Sequence, residues 1–178
     1  GPLAGPADDG EAEKARAKAA LLASGALDAG ARARYAKRLD DLEQQARAAV
    51  SKASGPGAQG EALLRWLHQG PLAKGYVAAQ TDLSTLLDTG TYNCVSSATL
   101  FSCLALRLGL DARAIEVPTH AFAIVYDGTK AMDVETTTAD GFNPARDPAV
   151  IARFEKTTGF RYIHDLHRDQ RREVDEAG

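Results

Sequence analysis

The chain has 178 residues and a formal net charge of −3 at neutral pH, a length suited to one domain with a real core and cramped for two. That charge, with no basic stripe, provides no electrostatic basis for binding nucleic acid, where affinity rests on neutralising phosphates. No apolar run approaches the roughly 20 residues that span a bilayer, and no segment has the zones of a signal peptide. The opening GPLAGPADDG lacks an initiator Met, and Gly1-Pro2 resembles the remnant of a cleaved tag, so residues 1–10 are expected to carry no structure and the compartment is not readable.

Residues 11–23 (EAEKARAKAALLA) and 28–50 (DAGARARYAKRLDDLEQQARAAV) are rich in good helix formers. They predict a helical N-terminal extension over 11–54. In its second helix Tyr35, Leu39, Leu42, Ala46 and Ala49 make a narrow apolar seam, suited to packing on its own domain or to docking another protein chain. SKASGPGAQG at 51–60 reads as a linker. EALLRWLHQG then predicts a short helix stopped by Gly70-Pro71, with His68 capping its end. A loop and a weakly patterned helix lead to Cys94.

From Val95 to Gly109 the chain is apolar almost all round, the pattern of a buried helix. The period then changes. ARAIEV at 112–117, HAFAIVYDG from 120 and KAMDVET from 130 are strand-length runs, and Asp127-Gly128 is a hairpin turn signal that makes the last two an antiparallel pair. The expected fold is α+β, a buried helix on an antiparallel sheet of at least three strands, with a core over 55–165. A charged helical tail is predicted over 166–178, and no internal repeat is found.

Cys94 and Cys103 are nine residues apart on the buried helix. Nine residues rise about 13.5 Å, whereas disulfide-linked Cα atoms lie within about 7 Å, so the two cannot pair there. Their spacing is not that of a metal site either. Cys103 sits mid-helix and reads as core. Cys94 sits at the helix start, where a cap by Asn93 or Thr91 and the unpaired N–H groups favour a thiolate.

A nucleophilic thiol needs a base, and the base an orienting group. His120 opens an apolar strand. A two-residue turn at Asp127-Gly128 puts Glu135 opposite His120 and Asp133 on the diagonal, both acids on the histidine's face. His164 and His167 in HDLHRD read as a solvated helix face, and no metal or other cofactor is expected.

From Thr91 to Thr137 these pieces, GTYNCVSSATLFSCLALRLGLDARAIEV, THAFAIVYDG and AMDVETT, resemble the catalytic core of the transglutaminase-like superfamily within the papain-like fold. The resemblance implies Cys94 as nucleophile, His120 as general base and acid, and Asp133 as orienting carboxylate, with Glu135 as its rival. It also implies an oxyanion donor made of the nucleophile's backbone N–H and an upstream side chain; Trp66, Gln80, Tyr92 and Asn93 are candidates, Tyr92 preferred.

Large members of the superfamily that crosslink proteins carry extra β domains and use calcium, and this chain has no EF-hand-like acidic loop. Compact members, common in bacteria, are inferred to be proteases or amide hydrolases. The implied activity is therefore thiol-dependent acyl transfer on a protein or peptide substrate, hydrolysis first. Transamidation by an amine and a non-catalytic binding scaffold are the alternatives. A further variant has the N-terminal helices lying over the cleft as an inhibitory segment.

Overall fold

The computed structural model describes residues 28–162 and the backbone of Arg172–Glu173. The predicted helix at 11–23 and the histidines of HDLHRD lie outside the described residues.

Asp28 caps the first helix, α1 (Ala29–Val50), by accepting a hydrogen bond from the Ala31 N–H at 2.7 Å. Its buried stripe is Tyr35, Leu39, Leu42, Ala46 and Val50. Ala49, assigned to the seam from the sequence, is exposed, because the larger Val50 removes more apolar surface from water at the helix end. These residues belong to the same core as the sheet, so the chain's own helices fill the seam.

α2 (Pro56–Gln69) begins inside the segment read as a linker, with Pro56 in its first turn, which shortens the connection to 51–55. Gly60 does not break it. A side chain there would come within 2.6 Å of the Phe142 ring, so this glycine allows helix and loop to touch. Two short strands, β1 (Gly75–Tyr76) and β2 (Thr91–Tyr92), then pair in parallel around α3 (Leu83–Thr89), with Tyr76 beside Tyr92. They are too short to show a sequence period.

α4 (Cys94–Arg107) is the buried helix, with Leu100, Phe101 and Leu104 fully enclosed. It packs on a sheet of order β5-β4-β3-β6, comprising β3 (Asp111–Val117), β4 (His120–Asp127), β5 (Lys130–Val134) and the two-residue β6 (Arg172–Glu173), all antiparallel neighbours. β6 falls where a helical tail was predicted; the open edge of β3 pairs it with Ile115 and Glu116. The chain is α+β, closed by a 3₁₀ turn (Pro144–Arg146) and α5 (Pro148–Thr158).

Strand alternation sorts the two faces of β4. Ala123 and Val125 join the main core under α4, while Phe122 and Ile124 join Ile115 and Val117 in a second apolar cluster. The β4–β5 turn is Gly128-Thr129, closed by Asp127 and Lys130, with Gly128 at φ +60°. The register is therefore two residues from the one expected. A slip of two leaves every side chain on its predicted face but changes which residues are neighbours.

Candidate active site

Asn93 builds the Cys94 end of the candidate site. Its Oδ1 accepts from the N–H groups of Val95 and Ser96, and Ser96 Oγ accepts from the Asn93 N–H in return, a reciprocal cap. Its Nδ2 is tied to the Ala78 carbonyl and Thr81 Oγ1. Cys94 is thus the first helical residue, and the N–H groups that the Asn93 side chain takes up are those of Val95 and Ser96 rather than its own.

His120, the first residue of β4, donates from or accepts at Nε2 in a 2.7 Å contact with Glu135 Oε2. Both side chains are nearly closed to solvent, at 7% and 4% exposure. The other ring nitrogen, Nδ1, is buried and has no closed hydrogen bond. The group whose protonation the ring shares is the Cys94 thiol.

The electrostatics follow from that line of three groups. Burial pushes the Cys94 thiol up, but the nearby His120 ring and the backbone of Ala121 and Val95 outweigh it and hold the thiol below its ordinary value. Burial lowers His120, yet Cys94 and Glu135 together raise it to about 9. The two shifts run in opposite directions, the thiol down and the imidazole up, which is the direction that favours a thiolate beside an imidazolium. Burial raises Glu135; the imidazole opposes this, and the charge of Asp133 adds to it.

Asp133, the acid implied by the resemblance, is not the one on the imidazole. It pairs with Ile124, four positions and about 13 Å along β4 from His120. Glu135, two positions closer, makes the contact. The displaced turn carries Asp133 off the diagonal it was expected to hold and puts Glu135, expected directly opposite, on that diagonal.

The upstream side chains are also placed otherwise than expected. Tyr92, pushed up to about 12 by burial, donates its hydroxyl to the Thr137 carbonyl at 3.1 Å. Asn93 is consumed by the cap. Gln80 Nε2 bonds Thr91 Oγ1 at 3.1 Å, and Trp66 is packed against the main core. The tyrosine that sequence reasoning missed is Tyr76. Its ring lies edge-on to Tyr92 at 6.2 Å, its phenol makes no hydrogen bond among the described residues, and burial followed by the Cys94 charge raises its ionisation. Only the β1–β2 pairing brings it there, and no local pattern announces that.

Thr136 and Thr137, the residues after Glu135, are fastened by Ser97, Tyr92 and His68. His68, read as a helix-end cap, instead bonds the Thr136 carbonyl through Nε2 at 2.8 Å, and burial lowers its ionisation. Phe154 and Phe160 lie against the His120 ring at 5.2 and 5.6 Å. Cys103 is buried in the core. Among the described residues no three His, Cys, Asp or Glu side chains are grouped to hold a metal ion, and no helix is long and apolar enough to cross a membrane.

Comparison of the chain with protein-family models finds no match, and none is found among curated proteins.

Proposed function

We propose that the protein is a thiol-dependent acyl transferase of the transglutaminase-like, papain-like kind, acting on a peptide or amide carbonyl with water as second nucleophile. The observation that carries this reading is the continuous coupling of Cys94, His120 and Glu135, with a nucleophile at a capped helix start. Cys94 Sγ attacks the carbonyl carbon and forms the C–S bond; the C–N bond breaks as His120 gives its proton to the leaving amine. Water then attacks the acyl-enzyme while His120 takes its proton, and the C–S bond breaks to restore the thiolate. Glu135 orients the imidazole and stabilises its cation throughout. The backbone N–H of Cys94 and the Tyr76 phenol are the donors toward the oxyanion. An amine in place of water makes the same site a transamidase, and product analysis separates the two.

The residues described in the N-terminal region support no lid. Asp40 and Glu43 of α1 pair with Arg107, about 20 Å along α4 from Cys94.

The test is the alkylation rate of Cys94 and Cys103 against pH, read by peptide mass spectrometry in the wild type, His120→Ala, Glu135→Gln and Asp133→Asn. Cys94 should react as a thiolate at pH values below about 8.5, with Cys103 inert. Its profile should move up toward an ordinary thiol in His120→Ala and Glu135→Gln, and far less in Asp133→Asn. The sign for turnover is opposite at high pH: acylation needs imidazolium, so it should fall as pH rises through about 9. A Cys94 as inert as Cys103 in the folded wild type sinks the enzyme reading in favour of the scaffold.

A further inference from the structure

The two residues that follow Glu135 are held from three sides, and two of the three holders flank the nucleophile. Ser97 Oγ and Thr136 Oγ1 are 2.7 Å apart. Tyr92 donates to the Thr137 carbonyl at 3.1 Å, and His68 Nε2 meets the Thr136 carbonyl at 2.8 Å. A carbonyl only accepts, so His68 is the Nε2–H tautomer. Tyr92 lies two residues before Cys94 and Ser97 three after it, in the first turn of α4.

The Ser97–Thr136 pair is enclosed, with both residues at 1% exposure or less. Packing alone does not call for two hydroxyls here. Replacing a buried hydrogen-bonded pair by apolar groups of the same shape is close to neutral for stability, whereas a directional bond sets orientation. Ser97 Oγ also lies 3.4 Å from the Cys94 carbonyl, so the bond links the nucleophile's own turn to the residue beside the acid.

We propose that the Ser97–Thr136 hydroxyl pair, seconded by Tyr92 on Thr137, is a positioning device that holds the Glu135 carboxylate against His120 and in register with the Cys94 helix. It rests on the catalytic reading above. Ser97, Thr136 and Tyr92 touch no reacting atom; they act through Glu135. The carboxylate they aim is faced by His120 from β4 and by Asp133 from its own strand. The thiol beyond is faced by His120 and, across β1, by Tyr76. A tilt of Glu135 away from the ring should therefore be read first in the titration of His120.

The experiment follows the His120 imidazole by NMR titration and Cys94 by alkylation in the full chain, for the wild type, Thr136→Val, Ser97→Ala, the double variant and Thr136→Ser. Thr136→Val should lower the His120 value from about 9 by about one unit. That is about a tenfold loss in the imidazolium-to-imidazole ratio at fixed pH, and the Cys94 alkylation profile should move up toward that of an ordinary thiol. The double variant should be no worse than either single one, since the two groups act as a unit. Thr136→Ser should recover most of the wild-type behaviour. Should Thr136→Val not fold, Ser97→Ala, which only removes an oxygen, is judged by the same two readings. A folded Thr136→Val or Ser97→Ala with wild-type His120 titration and Cys94 rate overturns the positioning role and leaves the acyl-transfer reading standing. A wild-type Cys94 that reacts no faster than an ordinary thiol removes both.

Discussion

Tyr76 is placed beside Tyr92 by the pairing of two two-residue strands. Under the proposed mechanism the Tyr76 phenol is a donor for negative charge, and its value is greatest when that charge moves to the carbonyl oxygen. Tyr76→Phe should therefore lower kcat/KM for an amide or thiol-ester substrate by about 10²-fold, the scale of losing one oxyanion donor. Cys94 alkylation, which forms no oxyanion, should hardly change. Equal losses in both assays would place Tyr76 in the packing of Tyr92 instead. Glu135 shows the converse at this scale. A carboxylate so enclosed is costly unless paired, and the imidazolium is the pair.

At the scale of elements, the segment after β5 turns back on itself. The Glu135 N–H donates to the Gly141 carbonyl at 2.8 Å and the Asn143 N–H to the Asp133 carbonyl at 2.7 Å, with Val134 bridged to Phe142. Gly141 is what permits this return. A Cβ there would lie 2.0 Å from the Glu135 carbonyl oxygen, so no side chain fits without moving the acid's backbone. Gly141→Ala should destabilise the fold by about 1–3 kcal/mol, as overpacking does, and abolish the lowered ionisation of Cys94. Chemical denaturation reads the first effect and the alkylation profile the second. A variant with wild-type reactivity would show that Glu135 tolerates displacement. The loop TADGFN is written in turn residues, so its irregularity was legible. Its return against β5 was not, because that depends on Phe142 meeting Gly60 of α2.

In the molecule as a whole, α1 is part of the core rather than an appendage. Leu39 and Leu42 are enclosed with Leu63, Leu67 and Leu104 from α2 and α4, and the Arg107 guanidinium ties Asp40 and Glu43 to the far end of the helix that begins at Cys94. Leu42→Ala should cost about 2–5 kcal/mol, the range for a buried leucine, and lower the midpoint of thermal unfolding. The Cys94 profile should stay as in the wild type below that midpoint, because α1 touches α4 away from the thiol. A change of less than about 1 kcal/mol would show that α1 docks without contributing to the fold.

The sequence by itself determined what depends on local chemistry and on period. Asn93 before Cys94 makes a capped helix start wherever it is placed. A run apolar on all sides must be buried, and alternation along β4 and β5 with an even-numbered turn puts His120, Asp133 and Glu135 on one face. Tertiary structure decided what depends on register and on distant partners. Closing the turn at Gly128-Thr129 rather than Asp127-Gly128 preserves each face but moves the neighbours by two, which takes Asp133 off the diagonal from His120 and puts Glu135 there. The choice of Tyr76 over Tyr92 depends on two strands of two residues, and the hold on Thr136 depends on bonds to Ser97 and His68, 39 and 68 residues away in the chain. A period specifies a face cheaply; contacts across such separations exist only once the core has closed.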